Sequence, residues 1–211
     1  MTPTHTAEMI DVRVDDLAFY EGEAIARPVN ALLGATTPIM RKLEVAAGSA
    51  FTDTLRVSEP MQVGSAVVTA AGDLRVELLI HGVVSSDDEP ATRATVRRAL
   101  LSALQRAAAF QIRELAMAPF GLGAGNLDIE DSAEIMRDVI AEHMKRSAFP
   151  TRVLVIAENA IEEQVLRAGI GDHCCEACCG RPRRQRRDRR ARAQRPQEHS
   201  RVLDGHGGAN G

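Results

Sequence analysis

Apolar residues recur along the first 170 positions at two different spacings, which predict alternating strands and helices. Ile10, Val12 and Val14 alternate with polar residues, which is typical of a strand with one buried face. After Ile129 the apolar residues return every third or fourth position, as they do on one face of a helix. Together with Gly and Pro boundaries, these patterns predict strands at 10–14, 23–27, 65–69, 76–84, 114–118 and 152–157, and helices at 38–47, 91–112, 129–145 and 159–168.

The boundaries of these elements and their apolar content indicate the fold class. We expect Pro28 to stop the second strand, because proline has no N–H to donate. Pro38 is tolerated in the first turn of a helix that Gly48 closes. The later strands are almost entirely apolar, which indicates a sheet covered on both faces. The sequence therefore predicts a three-layer α/β/α sandwich around a mixed, largely parallel sheet.

The composition favours a globular protein with an aliphatic core. Hydrophobic residues make up 45% of the chain but aromatic residues only 3%. No apolar run reaches the roughly 18–20 residues that a membrane span needs. The first residues also lack the basic and apolar regions of a signal peptide. We therefore expect a cytoplasmic protein with no membrane partner.

The last 41 residues differ sharply from the rest, so the sequence predicts a globular domain at 1–170 and a disordered tail at 171–211. The tail holds ten Arg against five acidic residues, whereas residues 1–170 hold 16 basic and 24 acidic residues. Cys175 and Cys178 have the spacing of half a zinc site, but no second ligand pair follows, so no metal is predicted. An alternative is that the tail is an out-of-frame reading of the gene.

A glycine-rich segment between a predicted strand and a predicted helix is the main candidate for chemistry. Gly121, Gly123 and Gly125 occupy three of five positions, and such a loop can approach a ligand where a Cβ would clash. Amides freed in this loop, next to a helix N-terminus, favour a phosphate or diphosphate. A turn that merely connects the two elements is the alternative.

With these elements in order, the chain resembles the macro domain, a module that binds ADP-ribose. Residues 14–17, Val-Asp-Asp-Leu, are similar to the end of the family's first strand, and residues 23–34 to its Asp-Ala-Ile-Val-Asn-Ala-Ala-Asn stretch. Residues 66–74 and 79–83 are similar to its turn and its Val-Ile-His strand. Residues 118–125, Ala-Pro-Phe-Gly-Leu-Gly-Ala-Gly, resemble its diphosphate-wrapping loop.

The resemblance implies a role for each matching residue. It implies that Asp16 accepts the adenine amino group, that Leu17 offers the neighbouring amide, and that Asn30 reaches the distal ribose. Asn30 is also the candidate catalytic residue. From the residues alone, a solvated turn acid is the favoured interpretation of Asp16, whereas Asn30 is equally consistent with a ligand contact and with a local loop cap. The implied ligand-binding residues are Asp16, Leu17, Asn30, Gly34, Gly121, Leu122, Gly123, Ala124, Gly125 and Asn126.

The chain also departs from the family's hydrolase pattern. The position of the acid that would activate a water falls at about Met40, which cannot take a proton. Arg27 stands where the family's first asparagine would be, and threonines replace glycines in the first loop. The aromatic ring that often stacks on adenine has no counterpart near residues 157–161. His81, in the middle of a strand, is expected to be a core histidine with satisfied hydrogen bonds rather than a catalyst.

The sequence thus predicts a protein that binds ADP-ribose or a related nucleotide diphosphate, with an ADP-ribosylated protein as a partner and no cofactor. It does not decide whether the chain removes ADP-ribose from protein or acetyl groups. One alternative is a macro-like scaffold that has lost its ligand. Another is a nucleic-acid binder acting through the basic tail, whose affinity would depend on salt.

Overall fold

A computed structural model describes residues 10–56, 59–123 and 127–171 of the chain. The predictions for the tail, including its disorder and its candidate zinc ligands, lie outside these residues. Within them the elements follow the predicted order closely. The strands are β1 (Ile10–Val14), β2 (Gly22–Asn30), β3 (Ala66–Ala70), β4 (Val76–Ser85), β5 (Glu114–Met117) and β6 (Arg152–Ala157), and the helices are α1 (Pro38–Ala46), α2 (Ser49–Thr54), α3 (Arg93–Ala109), α4 (Ile129–Arg146) and α5 (Ala160–Ile170), with a 3-10 helix at Leu17–Phe19.

The six strands form one sheet in the order β1-β6-β5-β2-β4-β3. All neighbouring strands are parallel except β3, which pairs antiparallel with β4. The prediction of a mixed, largely parallel sheet is confirmed. Because the strands are parallel, the carboxyl ends of β1, β6, β5 and β2 meet at the same edge of the sheet, where ligands of such folds bind.

Helices cover both faces of the sheet, which gives the three predicted layers. Side chains of α3, α4 and α5 pack on one face, where they meet Ala24 and Ala26 of β2. The other face packs against α1, α2 and the 3-10 helix and receives Ile25, between those two alanines. All three β2 residues are fully buried. The alternation along β2 therefore follows the period of two of a strand buried on both sides.

Strand β2 continues through Pro28 to Asn30, so the prediction that Pro28 ends the strand is wrong. Alternate residues of a parallel strand direct their backbone groups towards the same neighbour. The Ala26 carbonyl accepts from the Ala118 amide on the β5 side at 3.3 Å, so Pro28 faces that side as well. Pairing of β2 with β5 stops at Ala26. The nitrogen of Pro28 thus lies beyond the last pair, where no N–H is required.

The structure adds a short helix that the sequence pattern did not predict. Helix α2 begins after Gly48, whose φ of 88° lies in the left-handed region that glycine adopts readily. Gly48 therefore ends α1 as predicted, but it also starts a further turn and a half of helix. Within the described ranges, no helix has both the length and the apolar character needed to cross a bilayer.

Candidate functional site

A cleft with a volume of about 260 Å³ opens at the carboxyl edge of the sheet. Residues that directly follow β1, β5 and β6 line it, together with the first turns of α1 and α5. Its position agrees with the general rule for ligand sites on parallel sheets. The lining residues are Asp15, Asp16, Leu17, Pro28, Thr37, Ile39, Met40, Lys42, Ala118, Pro119, Leu122, Ile156, Ala157, Glu158 and Glu162.

Asp16 stands in the wall of this cleft directly after β1. One carboxylate oxygen accepts from the Ala18 amide at 3.0 Å and so begins the 3-10 helix, while the other receives the ammonium of Lys42. Burial raises the pKa of Asp16, but the hydrogen bonds from Lys42 and Ala18 and the charge of Lys42 outweigh burial, so the pKa lies below its ordinary value. Asp16 is therefore an ionised hydrogen-bond acceptor at neutral pH. Leu17, next to it, is buried and also lines the cleft.

Two further acidic residues, Glu158 and Glu162, also line the cleft. Glu162, in the first turn of α5, accepts the Glu158 amide at 2.6 Å. Burial raises the pKa of Glu162 above its ordinary value, the Glu158 amide opposes that effect, and the charge of Glu158 adds to it. The sequence reasoning did not identify Glu158, Glu162 or Lys42 as candidates. Glu158 and Glu162 become wall residues because the sheet aligns the end of β6 with the end of β1, pairing Val14 with Ala157, whereas Lys42 comes from α1.

Asn30 lies at the end of β2 and folds back on its own loop. Its side-chain oxygen accepts from the amides of Leu32 at 3.0 Å and Gly34 at 2.8 Å. A Cβ at Gly34 would lie 3.1 Å from the Asn30 side-chain nitrogen, so glycine allows this close approach. Asn30 and Gly34 are thus brought together as one tight turn. Neither residue is among those that line the cleft.

The glycine-rich loop that follows β5 and begins at Ala118, called the second loop below, contributes Leu122 to the cleft wall, and two described glycines shape it. Gly121 and Gly123 have φ values of 99° and 76°, in the left-handed region. A Cβ at Gly123 would lie 2.5 Å from the Thr37 methyl carbon and 2.8 Å from the Thr36 carbonyl oxygen. The second loop therefore meets the first loop, which is the segment 31–37 between β2 and α1, at Gly123. Ala124, Gly125 and Asn126, three further predicted ligand residues, lie outside the described residues.

The first turn of α1 forms the floor between the two loops. Thr37 caps the helix, since its hydroxyl accepts from the Met40 amide at 3.2 Å. Thr37, Ile39 and Met40 all line the cleft, so the positive end of the helix dipole lies beside it. Such a helix end favours an anionic ligand group. Met40 is almost fully buried, and its thioether provides no proton acceptor at the position where the family's acid was expected.

His81 is a core residue, as predicted. It is fully buried, and both ring nitrogens have partners: Arg27 donates to Nδ1 at 2.9 Å, and Thr69 lies 2.8 Å from Nε2. Burial, followed by the charge of Arg27, lowers the pKa of His81 to about 3. Its ring is therefore neutral, and His81 is not among the residues that line the cleft. Among the side chains that the structure describes, no group of three or more His, Cys, Asp or Glu is placed to hold a metal ion.

The comparison with known families assigns the chain. A family model described as the macro domain matches residues 26–136, which is just over half of the chain. The matched segment runs from β2 to the middle of α4 and includes both loops beside the cleft. The chain therefore belongs to the macro domain family.

Relatives in sequence are distant. An uncharacterised protein of Aeropyrum pernix is 26% identical over 77% of this chain and 85% of its own length. A protein of an Enterobacter species named O-acetyl-ADP-ribose deacetylase is 29% identical over 72% of this chain and 89% of its own length. A longer protein of Mycobacterium tuberculosis is 25% identical over 76% of this chain, but that match spans only 44% of the relative.

Solved structures agree with the fold. A mutant of the Oceanobacillus iheyensis macrodomain with ADPR superposes with a TM-score of 0.67 at 16% identity, covering 76% of this chain and 90% of that one. The Trypanosoma brucei macrodomain in complex with ADP gives a TM-score of 0.67 at 14% identity, covering 77% of this chain and 69% of that one. At these identities the likeness concerns the fold.

Proposed function

We propose that this chain binds ADP-ribose, free or attached to a protein, in the cleft at the carboxyl edge of the sheet. The adenine amino group donates to Asp16, and the diphosphate lies between the second loop and the first turn of α1. The distal ribose lies towards the turn that Asn30 and Gly34 form. The observation that carries the proposal is the meeting of three features in one cleft: an ionised acceptor, a left-handed glycine loop and a helix N-terminus.

The chemistry of the cleft fits such a ligand at each position. An ionised carboxylate suits the adenine amino group, which is a donor, and Lys42 and Ala18 keep Asp16 ionised. The helix end at Thr37 and the backbone of Gly121 and Gly123 suit an anion without requiring a cation. The solved macrodomain structures whose titles include ADPR or ADP support the same ligand class.

Calorimetric titration of ADP-ribose into the full chain tests the proposal, with Gly123→Val as the site variant. The valine must displace Thr37 or Thr36 and adopt an unfavourable φ, so we expect at least a tenfold loss of affinity, about 1.4 kcal/mol. Gly64→Val is the matched control, because Gly64 also has a left-handed φ, of 91°, but packs against Arg98 outside the cleft lining.

The outcomes separate the possibilities. Binding by the wild type and by Gly64→Val, with loss in Gly123→Val, supports the proposal. Absence of heat and of a thermal shift in the wild type contradicts it and favours a scaffold that has lost the ligand. Equal losses in both variants, with both proteins folded, would mean that Gly123 has no special place beside the ligand.

Hydrolysis is the second candidate function, and the Enterobacter relative's name favours it. The residues of this chain weigh against fast turnover, because Met40 stands where a general base was expected and the Asn30 side-chain oxygen already accepts two amides. We therefore propose binding with little turnover. Incubation with O-acetyl-ADP-ribose, followed by separation of the products, should show a rate close to that without protein. A rate proportional to protein concentration, and lost in Gly123→Val, would overturn this expectation.

A further inference from the structure

A fully buried arginine joins the first loop to the core of the domain. Arg27 of β2 has no exposed surface, and each of its three guanidinium nitrogens has a different partner. Nε donates to His81 Nδ1 at 2.9 Å, Nη1 to a Glu44 carboxylate oxygen at 2.7 Å, and Nη2 to the Leu33 carbonyl at 3.1 Å. The Phe51 ring centroid also lies 5.7 Å from the guanidinium carbon. Arg27 therefore links β4, α1, α2 and the first loop.

The loop partner of Arg27 belongs to the turn that contains Asn30. Four amides of this turn are hydrogen-bonded within it: those of Leu32 and Gly34 donate to the Asn30 side chain, that of Leu33 donates to the Asn30 carbonyl at 2.9 Å, and that of Asn30 donates to the Gly34 carbonyl at 3.1 Å. Leu33 has a φ of 63°, which a residue other than glycine adopts at a cost of about 1–2 kcal/mol. Surrounding contacts must therefore hold Leu33 in place.

Arg27 supplies such a contact, and its chemistry suits the task. A buried cation is tolerated only when it is paired and hydrogen-bonded, and here Glu44 provides the opposite charge. The guanidinium is a rigid planar fork, so fixing it against His81 and Glu44 also fixes the nitrogen that faces the Leu33 carbonyl. Lysine has no such fork and cannot serve three partners in these directions at once.

We propose that Arg27 is a positioning residue that holds the turn of residues 30–34 in its binding geometry before the ligand arrives. This inference rests on the proposed function and adds to it the residue that prepares the distal-ribose end of the site. Because the turn is ordered before binding, the ligand does not lose affinity to the entropy cost of ordering it. The contacts with the distal ribose therefore contribute fully to the affinity. Arg27 reaches the adenine end only through α1, which carries both its partner Glu44 and Lys42, the partner of Asp16. The lysine of Arg27→Lys keeps a positive charge for Glu44, so we expect the adenine end to change little.

Loss of positioning by Arg27 can be distinguished from a general loss of stability, because only the former changes the preference of the protein for ADP-ribose over ADP. ADP lacks the distal ribose, so the ratio of the ADP and ADP-ribose dissociation constants reports on that end of the site alone. We expect the wild type to prefer ADP-ribose and the Arg27→Lys variant to lose about fivefold or more of this preference, with its ADP affinity within about twofold of the wild type. An unchanged ratio in a folded Arg27→Lys protein would overturn the positioning role.

Thr69→Val is the matched control. Thr69 lies at the far end of the same network, on β3, and contacts His81 but not the loop. Removal of its hydroxyl leaves His81 Nε2 without this partner and should lower stability without changing the ratio. A ratio that falls equally in Thr69→Val and Arg27→Lys would mean that stability, and not positioning, determines it.

Hydrogen exchange on the ligand-free wild-type chain provides a measurement that needs no variant. If Arg27 holds the turn, the amides of residues 30–34 exchange slowly without ligand, and ADP-ribose slows them little further. Fast exchange that becomes slow only with ADP-ribose would overturn the proposal, even if Arg27→Lys does not fold. A wild-type chain that binds neither ADP nor ADP-ribose would refute the proposed function itself, whereas an unchanged ratio refutes only the role of Arg27.

Discussion

Acidification should destabilise this protein through His81. The ring is buried and neutral, with Nδ1 accepting from Arg27 at 2.9 Å and Nε2 facing Thr69 at 2.8 Å. A proton added at Nδ1 would place two donors against each other and a second positive charge beside Arg27. Glu44 is the carboxylate that faces this cluster, and Arg27 already occupies one of its oxygens. The folded protein therefore resists protonation of His81, whereas the unfolded chain does not.

The size of the effect follows from the two pKa values. The pKa of His81 falls from 6.5 to about 3 on folding, mainly because of burial and secondly because of the Arg27 charge. Between these values the unfolded chain binds more protons, so stability rises with pH. The full contribution of neutral His81 to the free energy of unfolding is present above the pKa of the unfolded state. It is lost progressively as the pH falls towards the pKa of the folded state. At about pH 5 the loss is about 2 kcal/mol.

Urea unfolding followed by circular dichroism at about pH 7.5 and about pH 5 measures this loss, since the linear extrapolation gives the free energy of unfolding. His81→Asn is the reference, because asparagine keeps an acceptor for Arg27 but does not titrate. Contributions of the carboxylates are common to both proteins and cancel in the difference. The reasoning is refuted if the wild type and His81→Asn lose the same free energy of unfolding between the two pH values.

Three further substitutions test packing, capping and surface charge, each by the midpoint of thermal or urea unfolding. Gly82→Ala should cost about 1–3 kcal/mol, because the new Cβ would lie 2.6 Å from the Phe120 ring in a rigid core; an unchanged midpoint would mean that the ring moves freely. Asn159→Ala should cost about 1 kcal/mol, since its side chain accepts two amides at the start of α5, and a neutral result would show that this cap contributes nothing. Arg93→Ala should cost less than about 1 kcal/mol despite its ion pairs with Asp131 and Glu134, because they are exposed; a larger loss would contradict that estimate.

The sequence predicted most elements of the fold because periodicity alone decides them when a segment is long enough. Helix α4 and strand β6 were located within one or two residues in this way. Helix α2 was missed because it spans only six residues and Phe51 is the buried one among them, so it has no detectable period. The extent of β2 was misjudged because the effect of Pro28 depends on which neighbouring strand its nitrogen faces.

The candidate site was predicted in part. Asp16, Leu17 and Leu122, which the resemblance implies as ligand-binding residues, lie in the cleft wall, and their contact with a ligand stays a prediction. It did not predict the convergence of two loop amides on the Asn30 side chain, which depends on the backbone path of a short turn. It also identified Arg27 only as a departure from a pattern. The partners of Arg27 come from separate elements, and only the folded sheet brings them around it.

The pairing of β1 with β6 has a consequence for biosynthesis. Among the strands of the described residues, β1 lies at an edge of the sheet and pairs with β6, which is the last of them in chain order. As the chain leaves the ribosome, the segment that becomes β1 emerges early. It has no β6 to pair with until residues 152–157 have been translated. Asp16 and Glu158, which both line the cleft, come together only after that event, so the proposed nucleotide binding should arise late in synthesis.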